Sequence, residues 1–187
     1  IHHLAGITDV PRVKSESTAV KDDKIKIVAE EGTQNILDAM NINSKIILPS
    51  THVVYEGIKE IKNDILEDEE TKPVLAYANS KAINEKQLKQ SGKNYIILRL
   101  GSVYGYSNDT ARIDIMPNLF SKIASQNGTL KLFAAGRQIK SLVPLMDVAR
   151  CFKFMEEKEN IRSEIFNLTK EKITVKQVAE ICKKYNP

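Results

Sequence analysis

Two cysteines in 187 residues leave this chain without a disulfide framework. Cys151 and Cys182 match no metal-ligand spacing, so they read as buried or half-buried free thiols in a reducing compartment. No apolar run approaches the roughly 20 residues that span a bilayer. The opening "IHHLAGITDV" lacks the basic region, apolar core and cleavage site of an export signal. The expected location is the cytoplasm, where the Asn-x-Ser/Thr sequons at Asn108, Asn127 and Asn167 are chance matches. A basic block is missing as well. The formal charge of +4 comes from interleaved signs, as in "EGIKEIKNDILEDEETK". Such a stretch is a solvated face rather than a nucleic-acid footprint. His2 and His3 are adjacent and would point to opposite faces of a strand, so they cannot chelate one metal. These absences argue against a membrane protein, a nucleic-acid binder and a metalloprotein, while the small positive excess suits an anionic small ligand.

What is present is enough apolar residue, 42%, for one sizeable domain or one domain and part of another. "IHHLAG" reads as the end of a buried strand that opens the chain without its neighbours, which suggests a fragment. Residues 25–40, "IKIVAEEGTQNILDAM", put Ile25, Val28, Ala29, Gly32, Ile36 and Ala39 at helical spacing and predict one buried stripe. "KIILPS", ended by Pro49, and "YIILRL" are short continuous apolar runs, as in strands covered on both faces. A helix containing Tyr77 and Lys81 lies between them. Helix, strand, loop, helix, strand implies parallel crossover units in a doubly wound α/β sheet.

Beyond Gly105 the texture changes. "YSNDTARID" reads as a polar loop and "IMPNLFSKIAS" as a helix with Pro117 in its first turn. "TLKLFAAG", "SLVPL" and "EIFNLT" read as strands. Asp147 opens the helix "VARCFKFMEE" and Thr174 caps "VKQVAEICKKY". The expected division is 1–106 and 107–187, a soft boundary across which later strands return to the first sheet.

The chemistry-bearing residues gather around "LAYANSKAIN". Tyr77 and Lys81, at i and i+4, share one helix face, about 5–6 Å apart at Cβ. In an open parallel sheet ligands sit at the carboxyl ends of strands, where Thr51 would lie. A phenol of ordinary pKa about 10 is a poor base at neutral pH, and a nearby cation favours its phenolate. Lys81 would be that cation, Tyr77 would move the proton, and Thr51 would donate a hydrogen bond to a substrate oxygen.

With those residues in place, "HLAG" at 3–6, "GTQNILDA" at 32–39, "STHVVYEG" at 50–57, "YANSK" at 77–81, "LRLGSVYG" at 98–105, "LMDVAR" at 145–150 and "IFNLT" at 165–169 occur in one order across nearly the whole chain. In this the sequence resembles the NAD(P)-dependent epimerase/dehydratase family, the extended short-chain dehydrogenase/reductases that act mostly on nucleotide sugars. The resemblance implies a Rossmann-like doubly wound sheet whose N-terminal part is missing here. With it would go a smaller α/β substrate-binding region, mainly 107–187. It implies Thr51, Tyr77 and Lys81 as catalytic residues, with Tyr77 and Lys81 also touching the cofactor, NAD or NADP, and Ala5 and Gly6 passing close to it. Ser102, Val103 and Lys140 would face the nucleotide sugar, although a surface lysine fits position 140 as well as a phosphate ligand does. The cofactor's glycine-rich loop belongs upstream of residue 1, so cofactor binding needs that segment. A homodimer through helices 25–40 and 77–90 is also implied, with Ala29, Gly32, Ala78 and Ala82 permitting close packing.

Departures narrow this expectation. Sugar 4,6-dehydratases carry Asp-Glu directly after the threonine, where this sequence has His52 and Val53. A valine can neither protonate a leaving hydroxyl nor take a C5 proton, and His52 reads as a polar residue at the pocket rim. What survives is 4-epimerisation or one-way reduction or oxidation of a sugar carbonyl. Ala29, Ser102 and Lys140-Ser141 stand where the family usually has Asn, Asn and Arg-Asp. They motivate an alternative, a catalytically silent member that binds nucleotide or a protein partner as sensor or scaffold.

Overall fold

The computed structural model describes residues 1–8, 19–60, 62, 64–107 and 112–185. Asn108 and part of the expected polar loop at 106–114 lie outside them. The chain divides into two compact units, Ile1–Arg99 with Lys153–Asn167, and Leu100–Phe152 with Leu168–Pro187.

The first unit is built on parallel strands in the order β1 (Lys45–Thr51), β2 (Asn94–Leu100) and β5 (Glu164–Leu168). Ile46, Ile47 and Leu48 of β1 and Ile96, Ile97 and Leu98 of β2 are fully or almost fully buried. Both runs are thus covered on both faces, as their continuous apolar character predicts. The apolar run stops at Pro49, and the strand continues through it to Thr51, at the carboxyl end where the sequence pattern puts that residue. His2 forms a parallel bridge to Ile47, His3 N donating to Ile47 O at 3.0 Å. Helices α1 (Ala19–Ala39) and α2 (Ala76–Gln90) pack together beside this sheet. Asn84 Nδ2 and Gln87 Nε2 of α2 donate to the carbonyls of Ala29 and Glu30 on α1.

The expected α1 stripe needs correcting. Val28 is 41% exposed and Ala39 is exposed, while Ile25, Thr33 and Leu37 are buried. The inward face is the i+4 row 25, 29, 33, 37, because α2 engages the backbone at positions 29 and 30 and rolls the helix around that line. Leu37 and Met40 then close a core with Ile46, Leu48, Leu88 and Ile97.

The second unit holds β3 (Ser102–Tyr104), parallel to β4 (Ile139–Pro144), which pairs antiparallel with β6 (Glu171–Thr174). Helices α3 (Met116–Ser125), with Pro117 in its first turn as expected, and α5 (Val175–Tyr185) close a core of Phe120, Leu142, Val175, Val178 and Ala179. Thr174 caps α5 reciprocally with Gln177. Gln177 N donates to Thr174 Oγ1 at 3.2 Å and Thr174 N to Gln177 Oε1 at 2.8 Å. Such a cap contributes about 1 kcal/mol. Helix α4 (Leu145–Glu157) carries Asp147 in its first turn, as the sequence predicts.

"TLKLFAAG" is not a strand. Leu130 and Leu132 do pack toward the core, which explains the alternating pattern. The chain then turns through Ala134 and Ala135 at φ 48° and 56°. At Gly136, φ 68°, it comes so close to α5 that a Cβ would stand 2.8 Å from Lys176 N. Among the described residues no helix is long and apolar enough to cross a membrane.

Candidate active site

Thr51 ends β1 and caps the 3-10 turn His52–Tyr55, its Oγ1 accepting from Val53 N at 3.3 Å. The residue is buried, and α2 packs against both this strand end and this turn. The entry of α2 has no side-chain cap of its own. Glu56 Oε1, just past the turn, accepts from Val74 N at 2.8 Å and Leu75 N at 2.7 Å, fixing where the helix begins. Two residues on, Tyr77 is half-buried, and one turn later comes Lys81.

Lys81 is 8% exposed, and its Nζ lies 6.0 Å from the centroid of the Tyr77 ring. A Cβ added to Gly6 would stand 4.0 Å from that Nζ, so the glycine turn passes directly by the ammonium. Burial pulls the Lys81 pKa down to about 8, against the charge of Glu85, which raises it. The side chain therefore still carries its charge at neutral pH, beside a phenol whose ionised form a cation favours. Among the described residues Lys81 Nζ has no hydrogen-bond partner. The residue is buried while its ammonium makes no hydrogen bond, and ligand hydroxyls in the space by Gly6 would supply acceptors for it. The residues present thus fit a polyhydroxylated cofactor lying between the "HLAG" turn and α2.

His3 is buried on the same side, its Nε2 2.9 Å from Thr33 Oγ1. Its Nδ1 is buried without a partner. Burial first, and the nearby Lys81 charge second, hold its pKa below the ordinary value, so His3 is neutral at pH 7. Ala5 and His52 are exposed and half-buried respectively.

Beneath these residues lies a buried ionic cluster whose role sequence reasoning missed. Arg99 of β2 and Glu85 of α2, 2% and 3% exposed, pair at 2.7 Å from Nη2 to Oε2. Ser50 Oγ donates to Glu85 Oε1 at 2.5 Å and Arg99 Nε to the same oxygen at 3.0 Å. Arg99 Nη1 donates to the Tyr55 hydroxyl and, at 2.9 Å, to Glu67 O. The guanidinium also lies over the Tyr55 ring, 5.0 Å from its centroid. Asn167 holds the adjoining loop, donating through Nδ2 to Ile65 O at 2.8 Å. The available signal was a glutamate one turn past Lys81 and an arginine inside an apolar run, two charges that can be buried only together.

The expected substrate residues lie in the second unit. Ser102 and Val103 are neighbours on β3 and so face opposite sides of its sheet. Ser102 pairs with Leu142, two positions along β4 from Lys140, which places Ser102 and Lys140 on one face and Val103 on the other. All three are half-buried. Among the described residues no group of three or more His, Cys, Asp or Glu could hold a metal.

The first unit places a Tyr-x-x-x-Lys helix beside a strand that ends in a threonine, as the resemblance in the sequence implies. Residues 1–169 match the model of the NAD dependent epimerase/dehydratase family, and the chain belongs to that family. A search of curated proteins found no match. Among solved structures the chain is similar to UDP-glucose 4-epimerase with UDP-glucose from the hyperthermophilic eubacterium Thermotoga maritima. That likeness has 21% identity and a TM-score of 0.80, and covers 99% of this chain and 60% of that one. It is similar also to the Bacillus cereus UDP-glucuronic acid 4-epimerase in complex with UDP-glucuronic acid and NAD, at 25% identity and TM-score 0.77 over 97% of this chain and 57% of that one. A third likeness is the Bordetella bronchiseptica enzyme WbmG in complex with NAD and UDP, at 18% identity and TM-score 0.77 over 98% and 55%. The chain thus spans between 55% and 60% of the length of these three structures.

Proposed function

We propose that this chain carries the acid–base centre of an NAD-dependent nucleotide-sugar epimerase or ketoreductase acting at C4 of the sugar. The observation that carries this reading is the buried, charged and otherwise unpartnered Lys81 between the Tyr77 ring and the Gly6 turn. The names of the similar structures, two of them 4-epimerases of UDP-sugars, support it. Bound NAD supplies the two-electron acceptor for the carbinol hydrogen. Tyr77 takes the hydroxyl proton from the sugar and returns it. Lys81 holds the cation that makes this transfer feasible near neutral pH, and its donors orient the ribose hydroxyls of the cofactor. Thr51 holds the sugar oxygen in line, and Ala5 and Gly6 let the cofactor approach. Ser102, Val103 and Lys140 are proposed substrate contacts, with residues 1–106 completing the dinucleotide-binding domain and 107–187 forming mainly the substrate region. His52 and Val53 give no acid and base pair for eliminating water, so 4,6-dehydration is disfavoured.

The test is reduced-nicotinamide absorbance together with product analysis, using the full-length protein and a panel of sugar nucleotides and their 4-keto forms. Wild type is expected to turn over at least one member, and Tyr77→Phe to lose that turnover. Equal activity in the two, or silence in both with NAD still bound, would replace the enzyme reading by that of a binding protein. A homodimer through α1 and α2 belongs to the same proposal, with Ile27 and Val28, 51% and 41% exposed, as apolar surface on α1. Light scattering on the full-length protein is expected to give twice the chain mass, and Val28→Glu to give a monomer; a wild-type monomer refutes this part.

A further inference from the structure

Resting on the assignment of Lys81 above, we propose that Glu85 is a positioning residue that keeps Lys81 charged by its field while being prevented from touching it. Glu85 follows Lys81 by one helical turn, the spacing at which a glutamate and a lysine would ordinarily pair. Here they do not. Both carboxylate oxygens are taken elsewhere: Oε1 by Ser50 Oγ at 2.5 Å and Arg99 Nε at 3.0 Å, and Oε2 by Arg99 Nη2 at 2.7 Å.

The arrangement resolves a conflict in what the lysine must do. A buried ammonium drifts toward its neutral form, which would remove the cation beside Tyr77. A direct salt bridge would prevent this but would occupy the donors that a ligand needs. A carboxylate fixed one turn away by a guanidinium fork supplies the charge and leaves those donors open. The Arg99 clamp is itself anchored by Tyr55 and Glu67 O, so Glu85 cannot swing over to Lys81 without dismantling the cluster.

The charged and titratable groups around Lys81 are few among the described residues. Tyr77 and Glu85 stand on its own helix. His3 on the N-terminal segment is neutral at pH 7, and Arg99 on β2 pairs with Glu85. Glu85 is the one named carboxylate among them. Its charge opposes the burial that brings the Lys81 pKa to about 8.

The experiment follows Lys81 directly rather than turnover. Lysines of the full chain are reductively methylated with a carbon-13 label, the Lys81 signal is assigned by its loss in Lys81→Met, and its shift is titrated in the absence of any ligand. Wild type is expected to titrate near the alkaline side of neutrality. Glu85→Gln is expected to lower the midpoint by about one pH unit or more. Because that variant strands Arg99 in the core, the double variant Glu85→Leu with Arg99→Met is measured beside it. It removes both charges and keeps the volume, a replacement that buried pairs commonly tolerate. Its Lys81 midpoint is expected to fall as well. A midpoint unmoved in whichever of the two folds would overturn the proposal and leave Glu85 a purely structural partner of Arg99. The titration stands or falls independently of the catalytic reading, which Tyr77→Phe tests.

Discussion

Arg99→Met is expected to destabilise the protein by about 3–5 kcal/mol, among the largest effects a single substitution can have here. The loss comes from what remains rather than from what is removed. Glu85, 3% exposed, would keep a negative charge with only Ser50 as donor. Tyr55 and Glu67 O would lose their guanidinium donor. Two measurements separate this from lost packing. Urea denaturation of Arg99→Met with Glu85→Leu should recover most of the deficit, since both charges leave together. In the single variant the deficit should also shrink in acid. An unpaired buried carboxyl has a folded pKa raised above its unfolded value, so the folded state takes up the proton first and is favoured as pH falls. A single variant no weaker than the double would mean that the pair is dispensable for stability.

Lys81→Met is expected to act in the opposite sense, making the chain more stable while disabling the proposed site. The folded pKa of Lys81 is about 8 against an ordinary 10.5. Between those two values the unfolded chain holds the proton and the folded chain does not, so stability rises with pH across that window. Below about pH 8 both states are protonated and the full cost of burying the ammonium is present, roughly 3 kcal/mol from about 1.4 kcal/mol per unit. Methionine removes that cost. The gain should be complete at pH 7 and fade as pH climbs through the window toward 10.5. Thermal unfolding of wild type and variant at pH 7 and near pH 10 checks it. A variant less stable than wild type at both pH values would mean that the ammonium is well solvated in the fold. Keeping a residue that costs stability is what a site held ready for a ligand requires.

The residues that made the sheet legible are those whose burial is continuous. "KIILPS" and "YIILRL" could be placed because their central side chains are covered on both faces, and the helix of Tyr77 and Lys81 because it lies between them. The strands β3 and β6 have three and four residues, too few for any period to register. The segment 129–136 failed for a different reason: Leu130 and Leu132 alternate correctly, but among the described residues no strand pairs with them, and pairing partners are not written in local pattern. On α1 the helix was legible and its orientation was not, because hydrogen bonds from Asn84 and Gln87, more than fifty residues away, set the roll. The cluster of Ser50, Tyr55, Glu85 and Arg99 was hidden in the same way. The arginine inside an apolar run hinted at a buried partner, but only tertiary structure shows which residues pair with it.

The cap made by Thr51 has one more consequence. A hydroxyl has one proton and two lone pairs, and here Val53 N already occupies a lone pair. The proton is the handle that remains most readily offered, so in the proposed site position 51 would act as a polarity filter, favouring ligand atoms able to accept over those that must give. Serine would preserve both the cap and the filter. Valine would erase both, loosening the turn that carries Tyr55 along with the contact to the ligand. Asparagine could restore the cap through its carbonyl, yet it would meet the ligand with a bulkier amide at a different reach. Tolerance at this single position would therefore report on two properties at once, the rigidity of a turn and, in the proposed site, the preference for oxygen acceptors.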